Sequence, residues 1–416
     1  MHKRHAALGF IFVTVLLDML AFGVVAPVMP KLISDFLGGD TARASEYLGL
    51  FITTWALMQF FFAPVLGLLS DRYGRRPVVL LSNFGLSLDY LIMALAPNIR
   101  WLFLGRVLAG ITSSSVPTAT AYISDVTPPD QRSKAFGLLG AAFGVGFILG
   151  PALGGWLGVF SPRLPFWVGC AASLLNFVYG LLVLPESLAP EQRQPRMLWE
   201  NANPLGALRL LYSQTELMGL ALVNFLGYVA HEVYLTVFVL YVMYRFGWDQ
   251  RMIGISLAVV GVTSIVMSGI VGPVAKRLGD RRTLLTGLLF GGIGFACYGL
   301  AWSSALFLAA ILVNSLWSFA GPTSQSLMTR RVSPSLQGEL QGAIASLRGV
   351  AMLIGPGLFS LTFAHFIAPA HLLPGAPWYL AGVLLLLSLV IAWFVTAGET
   401  QLPPPLAEAA AEADAG

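Results

Sequence analysis

Six residues that can exchange a proton or carry a charge lie inside long apolar stretches of this sequence. They are Asp18, Asp89, Arg106, His231, Glu232 and Arg348. A charge at the centre of a lipid bilayer costs at least ~2.5–3.5 kcal/mol, so each of these side chains needs a partner, a water-filled cavity or a function. A carboxyl group held in a low-dielectric surrounding can bind and release a proton near neutral pH. The chemistry that these residues predict is therefore proton binding within a membrane.

Asp18 and Glu232 are the carboxyl groups best placed for that chemistry. Asp18 lies about 12 residues into the first apolar stretch, roughly 18 Å along a helix, and Glu232 follows more than about three turns of the seventh. We hypothesise that Glu232, with Asp18, carries the proton and that Arg348 pairs with whichever carboxylate is ionised. Two alternatives stay open, a permanent buried Glu232–Arg348 pair and an Asp18 that only hydrogen-bonds a neighbouring helix. For Asp89, structural and functional roles fit the sequence equally well.

Arg106 and several lone polar residues are further candidates. Arg106 stands about five residues from the start of the fourth stretch, so its side chain could extend to the outer interface or act at a site. His231 points about 100° away from Glu232 on a helix and need not share its surroundings. Cys170 and Cys297 fall inside apolar stretches, and no metal-ligand cluster is evident, so neither a disulfide nor a metal site is expected. The weaker candidates for substrate contacts are Gln59, Asn224, His231 and Gln325.

The elements that must position these residues are membrane-spanning helices. Hydrophobic residues make up 56% of the chain and charged residues only 11%, against roughly 25% charged residues in globular proteins. Lipid tolerates only helices and closed barrels, and the alternating strands of a barrel are absent. The sequence predicts an all-α membrane protein with twelve transmembrane helices of about 20 residues or more. The predicted spans are residues 7–30, 46–69, 77–97, 101–123, 134–158, 164–184, 216–243, 252–275, 282–301, 304–328, 339–366 and 376–396.

Landmarks of the sequence repeat at a fixed offset of 205 residues. Segment 67–76 returns in degraded form at 272–281, Pro117 returns as Pro322, and the pair Gly150 and Pro151 returns as Gly355 and Pro356. Two like halves related by an axis along the membrane normal are an architecture for alternating access around a site between them. We expect an N-terminal six-helix half at 1–184, a cytoplasmic linker at 185–215, a C-terminal six-helix half at 216–398 and a disordered tail at 399–416.

Lys and Arg are distributed unevenly between the two sides of the predicted bundle. With both termini inside, sixteen of the 24 fall in inner segments and six in outer segments. Positive residues near helix ends stay on the cytoplasmic side. We therefore expect a multi-pass protein of the plasma membrane with both termini cytoplasmic. The net charge of +4 then follows from topology, so the expected partners are the lipid bilayer, protons and a small-molecule substrate, and no nucleic acid.

Several segments resemble the major facilitator superfamily, and within it the tetracycline-efflux group of drug/proton antiporters. Segment 67–76 is similar to the superfamily's signature loop, 140–155 to the fifth-helix antiporter motif, and 106–110 to the fourth-helix motif that accompanies proton coupling. Segments 17–30, 56–60, 89–94, 254–257 and 337–342 resemble the tetracycline-efflux group. The resemblance implies the major facilitator fold, with twelve helices in two pseudo-symmetric six-helix halves.

The resemblance also implies roles for motif residues. In the signature loop, Asp71 would latch the cytoplasmic side closed against helix eleven, near a helix N-terminus where an anion is favoured. Lys276 holds the same position in the second half, so the two halves cannot latch equally. Arg106 would communicate with the protonation site. The loop residues are Gly67, Asp71, Arg72, Gly74, Arg75 and Arg76, and the residues expected to bend or closely pack helices five and eleven are Gly146, Gly150, Pro151, Gly154, Gly155, Gly355 and Pro356.

The chain departs from the tetracycline exporters in the ninth helix. Residues 288–292, which include Gly291, offer no acid where those exporters carry an aspartate, whereas His231, Glu232 and Arg348 are charges that the resemblance does not predict. The resemblance implies a bacterial inner-membrane exporter of a small amphiphilic, tetracycline-like or related molecule that exchanges it for protons. We expect no enzyme activity, no cofactor beyond the proton gradient and a functional monomer.

A divalent cation would arrive bound to the substrate if the substrate is tetracycline-like. Two alternatives remain open from the sequence. The first is a proton-coupled metabolite exporter or symporter of the same fold, and the second is a non-transporting membrane receptor or scaffold.

Overall fold

Apolar segments of this chain form helices because a helix pairs its backbone groups within the segment itself. The computed structural model describes residues 2–128, 131–193, 206–213, 215–333 and 336–398, and every regular element in these ranges is helical. Short 3₁₀ segments lie at Pro190–Gln192, Gly206–Ser213 and Leu316–Phe319. The sixteen α-helices are α1 His2–Val25, α2 Met29–Phe36, α3 Thr41–Tyr73, α4 Arg75–Leu95, α5 Ile99–Thr112, α6 Ser115–Val126, α7 Arg132–Phe160, α8 Leu164–Leu182, α9 Thr215–Thr236, α10 Phe238–Phe246, α11 Gln250–Leu278, α12 Asp280–Leu300, α13 Ser304–Ser315, α14 Ala320–Thr329, α15 Gln337–Phe366 and α16 Ala376–Val395.

The predicted linker and tail are only partly covered. The tail 399–416 and the linker residues 194–205 and 214 lie outside the described residues. At the start of the linker, Glu186 accepts hydrogen bonds from the backbone N–H of Arg75 at 2.8 Å and of Arg76 at 3.2 Å. These N–H groups belong to the first turn of α4, where an anion is stabilised by the helix dipole. The chain that leaves α8 is therefore fastened to α4.

Eleven helical segments of the described chain are long and apolar enough to cross a membrane. This confirms an integral, multi-pass membrane protein. The predicted span 101–123 is not one of the eleven, because its helix is broken between α5 and α6. Pro117 cannot donate to the carbonyl of Ser113, which favours a new helix start in this serine-rich stretch. The two short helices together form the fourth crossing. α5 begins just after the C-terminal end of α4, and α6 ends beside the N-terminal end of α4, where Asp125 pairs with Arg75 at 3.1 Å.

The 205-residue offset reappears in the helix boundaries. α4 and α12 correspond residue for residue, and each follows a glycine with positive φ, 108° at Gly74 and 81° at Gly279. A side chain would be strained in that region, so glycine is needed at both turns. The crossing that corresponds to the fourth is also interrupted, by the 3₁₀ segment Leu316–Phe319 between α13 and α14. The predicted all-α architecture of two like halves is thus confirmed.

The two halves meet through two pairs of helices, α3 with α15 and α7 with α11. We call the end of the bundle that carries the α3–α4 and α11–α12 turns the basic face, because Arg72, Arg75, Arg76, Lys276, Arg277, Arg281 and Arg282 cluster there, and the other end the opposite face. Near the opposite face both pairs are tightly packed. A Cβ on Gly155 would lie 2.7 Å from the Cα of Gly254, and Ser45 donates to the backbone carbonyl of Ser360 at 3.0 Å.

Toward the basic face, glycines of the same helices lack such contacts. Among the described residues, no atom of another segment lies within 4 Å of where a Cβ would sit on Gly67 of α3, Gly137 and Gly140 of α7, or Gly269 and Gly272 of α11. On α15, Gly349 still contacts the first half, since a Cβ there would lie 3.2 Å from the ring of Phe60. The halves are therefore tightly packed at the opposite face, whereas the first-named glycines, nearer the basic face, contact no other described segment.

Candidate functional site

The break between α5 and α6 is the polar centre of the N-terminal half. Its three serines each contact a different helix. The Ser113 hydroxyl accepts from Gln59 of α3 at 3.0 Å, and the backbone N–H of Ser114 donates to Ser82 of α4 at 3.3 Å. Ser115 donates to the Asp18 carboxylate of α1. Sequence reasoning missed this break, although three consecutive serines followed by Pro117 were a readable signal.

Asp18 is held at the first turn of α6 and is only 3% exposed. Its Oδ2 accepts from Ser115, whereas Oδ1 has no hydrogen-bond partner among the described residues. The predicted hydrogen bond to a neighbouring helix is therefore present. A carboxylate is favoured near a helix N-terminus by the helix dipole, yet its second oxygen remains available to a proton. The structural role and the proton-binding role of Asp18 are thus compatible.

Asp89 and Arg106 form a buried ion pair between α4 and α5. Asp89 is fully buried and Arg106 is 8% exposed, so the Arg106 side chain does not extend to an interface. Gly105 makes room for the pair, since a Cβ there would lie 2.5 Å from Asp89 Oδ1. Neither residue hydrogen-bonds to Asp18 in the described structure. The geometry therefore separates this pair from the Asp18 carboxyl group.

Glu232 lies on α9, packed against the glycine that precedes the proline of α15. It is 4% exposed, and a Cβ on Gly355 would lie 2.5 Å from its Cγ. Its Oε2 is buried without a hydrogen-bond partner among the described residues. The sequence prediction treated Glu232 and Gly355 separately. The structure brings them together, and the missing side chain of Gly355 is what admits the carboxyl group.

The predicted pairing of Arg348 with Glu232 or Asp18 is wrong for this structure. Arg348 is exposed, and none of the ion pairs formed by the described residues includes it. It precedes Gly355 by seven residues, which places it on nearly the same face of α15 but about 10 Å closer to the basic face.

His231 faces aromatic rings at the interrupted tenth crossing. Its ring centroid is 5.8 Å from those of Tyr234 and of Trp317, and the His231 side chain is exposed. Trp317 also packs on α12, where a Cβ on Gly291 would lie 2.9 Å from its ring. The ninth predicted crossing is α12. At Gly291, where the resembled exporters carry an acid, α12 therefore contacts the indole ring of Trp317. Sequence reasoning did not single out Tyr234 or Trp317, because aromatic residues are common throughout the chain.

The other weakly predicted substrate contacts all have protein partners. Gln59 bonds Ser113 as described, the amide of Asn224 lies 3.1 Å from the sulfur of Met328, and Gln325 donates to Gln341 at 3.0 Å. Gln325 and Gln341 are exposed near the basic face. No group of three or more His, Cys, Asp or Glu among the described residues could hold a metal ion.

The signature-loop residues form a network within one half of the bundle. Arg75 pairs with Asp71 and, at 3.1 Å, with Asp125, and Arg76 donates to the carbonyl of Leu181. Arg72 stacks on the ring of Tyr73, with its Cζ 5.2 Å from the centroid. The latch that the resemblance implies, from Asp71 to α15, is not formed here. Asp71 pairs with Arg75 of α4, and no ion pair between described residues joins it to α15.

The glycines of α7 seal helix contacts at the opposite face. Gly146, Gly150 and Gly154 face α1, where a Cβ on Gly150 would lie 2.6 Å from the Cα of Gly23, and Gly155 faces α11. Pro151 and Pro356 lie within the continuous helices α7 and α15. The sequence predicts that these residues either bend or closely pack their helices. In this conformation the glycines of α7 pack closely against α1 and α11.

The sequence and the fold of this chain are both similar to those of known proteins. The chain matches the family model of the Major Facilitator Superfamily over residues 11–356 and 220–415. It is 35% identical over 388 residues to the tetracycline resistance protein, class C, of Escherichia coli, covering 93% of this chain and 96% of that protein. It is 27% identical over 406 residues to the human Hippocampus abundant transcript-like protein 1, covering 92% and 79%. Among solved structures it resembles a bacterial homolog to the human lysosomal transporter Spinster in an inward-facing and occupied conformation, with a TM-score of 0.76, 16% identity and coverage of 95% and 97%.

Proposed function

Because the chain belongs to the Major Facilitator Superfamily, we propose that this membrane transporter exports a small amphiphilic molecule in exchange for protons. One observation carries the proton coupling. Each half holds a carboxyl group, Asp18 or Glu232, that is buried and keeps one oxygen without a hydrogen-bond partner among the described residues. Such an oxygen is costly while the group is charged and can be satisfied by a proton.

The orientation that we propose puts the basic face in the cytoplasm of a bacterial inner membrane. The clustered Lys and Arg support this assignment because positive residues near helix ends stay on the cytoplasmic side. The described conformation is then inward-facing, and the N- and C-termini are cytoplasmic. The sealed contacts of α7 with α11 and of α3 with α15 would open as the halves rock about the central site.

In the proposed mechanism the ionisable residues have different roles. Asp18 and Glu232 bind the entering proton, while the Ser115 hydroxyl holds the ionised form of Asp18 in place. The Asp89–Arg106 pair fixes α4 against α5 and acts on coupling through that packing. The loop around Asp71 and Arg75 biases which face is closed.

The substrate that we propose is tetracycline-like or a related amphiphile. The similarity to tetracycline resistance proteins over most of the chain supports it. If the substrate chelates a divalent cation, that cation would arrive with the substrate. A functional monomer is proposed because both halves of the site lie on one chain.

Proton-driven transport by purified protein tests this proposal. In proteoliposomes with an imposed pH gradient, the wild type should accumulate a fluorescent tetracycline on the acidic side, and an uncoupler should abolish accumulation. Asp18→Asn and Glu232→Gln should each lose at least tenfold of the gradient-driven rate, because removing one proton site breaks the exchange, about 1.4 kcal/mol or more. Asp35→Asn is the matched control, since Asp35 pairs with Lys31 on an exposed part of α2. Full gradient-driven exchange in both variants would refute the assignment.

A further inference from the structure

A groove runs along the outer surface of the second half, between α12 and α16. Its volume is about 490 Å³, within the range of roughly 300–1,000 Å³ that is typical of ligand clefts. Neither helix belongs to the α3–α15 or α7–α11 pairs that join the halves, and most of the lining side chains are exposed, so the groove faces lipid. The wall from α12 consists of Leu285, Thr286 and Leu289, and the wall from α16 includes Val390, Trp393 and Phe394.

The groove extends most of the way through one leaflet of the membrane. Leu289 follows Arg281 by eight residues, about 12 Å along α12, and half of the hydrocarbon core is about 15 Å thick. Except for Thr286, every side chain that lines the groove is apolar. Its occupant must therefore be apolar over most of that length.

Two arginines stand at the end of the groove that lies at the basic face. Arg281 stacks on the indole ring of Trp393, with its Cζ 4.9 Å from the centroid, and donates to the Trp393 carbonyl at 3.3 Å. Arg282 is exposed and lies seven residues before Leu289, so the two share one face of α12. Neither arginine pairs with an acid among the described residues. Uncompensated positive charge is therefore concentrated at one end of an apolar groove.

The first half compensates the equivalent positive charge with its own carboxylate. Arg76 stands 205 residues before Arg281 and likewise donates to a carbonyl at the end of a helix, that of Leu181 in α8. Beside it, Glu186 accepts from the backbone N–H of Arg76 at 3.2 Å. In the described part of the second half no acid takes this place, because Asp280, the nearest acid in sequence, pairs with Arg330 instead.

The tail of the chain is one candidate occupant, because Glu399 follows the end of α16 by four residues, as Glu186 follows the end of α8. A carboxylate alone does not fill an apolar groove, however, and a tail inside it would carry unpaired backbone groups into lipid, which lipid does not tolerate. A phospholipid meets both demands. Its acyl chains have no polar group along their length, and its phosphate binds guanidinium groups through charge-assisted hydrogen bonds.

We propose that the groove between α12 and α16 binds one anionic phospholipid from the leaflet at the basic face, with its phosphate on Arg281 and Arg282 and an acyl chain against Trp393 and Leu289. The indole ring of Trp393 suits this depth, because tryptophan is favoured at the membrane interface and Arg281 already stacks on it. A zwitterionic head group brings an ammonium that two arginines repel. The site therefore prefers lipids with a net negative charge.

Quenching of Trp393 fluorescence by lipids with brominated acyl chains tests the site. Full-length protein is placed in nanodiscs of unbrominated phosphatidylcholine that contain a small fraction of brominated phosphatidylglycerol or brominated phosphatidylcholine. The chain has ten tryptophans, so the signal of Trp393 is taken as the difference between the wild type and Trp393→Phe. Half-maximal quenching of that signal should need at least about tenfold less brominated phosphatidylglycerol than brominated phosphatidylcholine.

Variants test the head-group and acyl-chain contacts separately. Arg281→Gln and Arg282→Gln should each weaken the preference for phosphatidylglycerol about fivefold, since each removes one positive charge. Arg282 is the cleaner test, because Arg281 also holds the end of α16 through Thr396 and Trp393. Val390→Phe should weaken the binding of both lipids by narrowing the groove. Arg72→Gln is the control and should change neither lipid, because Arg72 also stacks on an aromatic ring at the basic face but belongs to the first half.

Three results would overturn the lipid site. The first is equal quenching by the two brominated lipids, and the second is an unchanged preference in the double variant Arg281→Gln with Arg282→Gln. The third is binding that appears only after residues 399–416 are deleted, which would assign the groove to the tail. The groove is separate from Asp18 and Glu232, so each of these results leaves the proposed exchange intact.

Discussion

Asp280 and Arg330 pair at 2.6 Å at the basic face, in the positions that Arg75 and Asp125 occupy 205 residues earlier with the opposite charges. The inversion extends to a third position, because Asp71 corresponds to Lys276. The first half therefore carries the order acid, base, acid, and the second half carries base, acid, base. The observed pairs lie within each half, so the two halves use opposite charges for the equivalent contact.

The central residues of the two sets should differ in their effect on stability. Arg75 is 13% exposed and also donates to Ser70 and Asp71. Asp280 is 11% exposed, and it accepts from Ser326 at 2.8 Å and pairs with Arg330, which is 63% exposed. Arg75→Gln should lower the free energy of unfolding by about 1–3 kcal/mol because several charge-assisted bonds are lost. Asp280→Asn should cost about 0.5–1.5 kcal/mol, because the amide oxygen still accepts from Ser326 and only the pair with the exposed Arg330 is lost. Thermal unfolding in nanodiscs measures both, and equal losses would contradict the argument.

Asp71→Asn should reduce transport without reducing membrane abundance. In the described conformation Asp71 contacts Arg75, and its side chain is 41% exposed, so the stability cost is within about 1 kcal/mol. Its proposed contact with α15 exists only when the basic face closes. Transport rate per molecule, normalised to the amount in the membrane, is the measurement. Lys276→Gln serves as the comparison because Lys276 is the equivalent position, and a normal rate in Asp71→Asn would defeat the latch.

Gly155→Ala should open the opposite face. The added Cβ would lie 2.7 Å from the backbone of Gly254, so α7 and α11 must separate there. The expected penalty of about 1–3 kcal/mol shifts the conformational equilibrium roughly 5–150-fold. Val28 is fully buried at that face and packs beside Gly158, so a Val28→Cys reporter, with Cys170 and Cys297 replaced, should be labelled faster. Gly140→Ala is the control, because no atom of another described segment lies within 4 Å of its added Cβ.

The Asp89–Arg106 pair should tolerate joint but not single neutralisation. Arg106→Gln alone leaves a carboxylate buried without its partner and should cost about 3–5 kcal/mol. The double variant Asp89→Asn with Arg106→Gln removes both charges and should recover most of the folded protein and its gradient-driven transport. Abundance and transport are measured together. A double variant that folds normally but moves substrate without protons would show that the pair carries the proton after all.

The sequence was sufficient for the architecture because the signals that define it are local or periodic. Apolar length predicts spans, and the 205-residue offset predicts two like halves, down to the glycine turns at Gly74 and Gly279. The break at Ser113–Ser115 escaped prediction because hydropathy averages over it. A proline and three serines in a row were the only warning.

Side-chain partners were harder to predict. Membrane helices are apolar on most faces, so the periodicity of apolar residues does not show which face of a helix points toward which neighbour. Depth alone placed Asp18 and Glu232 near the centre, yet it could not tell that Arg106 meets Asp89 or that Gly355 receives Glu232. Arg348 illustrates the limit. Its opposite charge suggested a pair with Glu232, but a two-turn displacement along α15 keeps the two apart.

The interrupted fourth crossing also has a consequence for biogenesis. α5 contains 14 residues and α6 contains 12, lengths of roughly 21 and 18 Å against a hydrocarbon thickness of ~30 Å. Neither helix is long enough to cross the hydrocarbon layer alone, so the two must enter the membrane together as one interrupted crossing. The serines of this break bond Asp18 of α1, Gln59 of α3 and Ser82 of α4. These helices precede the break in the chain, so the fourth crossing finds its polar partners already made when it is synthesised.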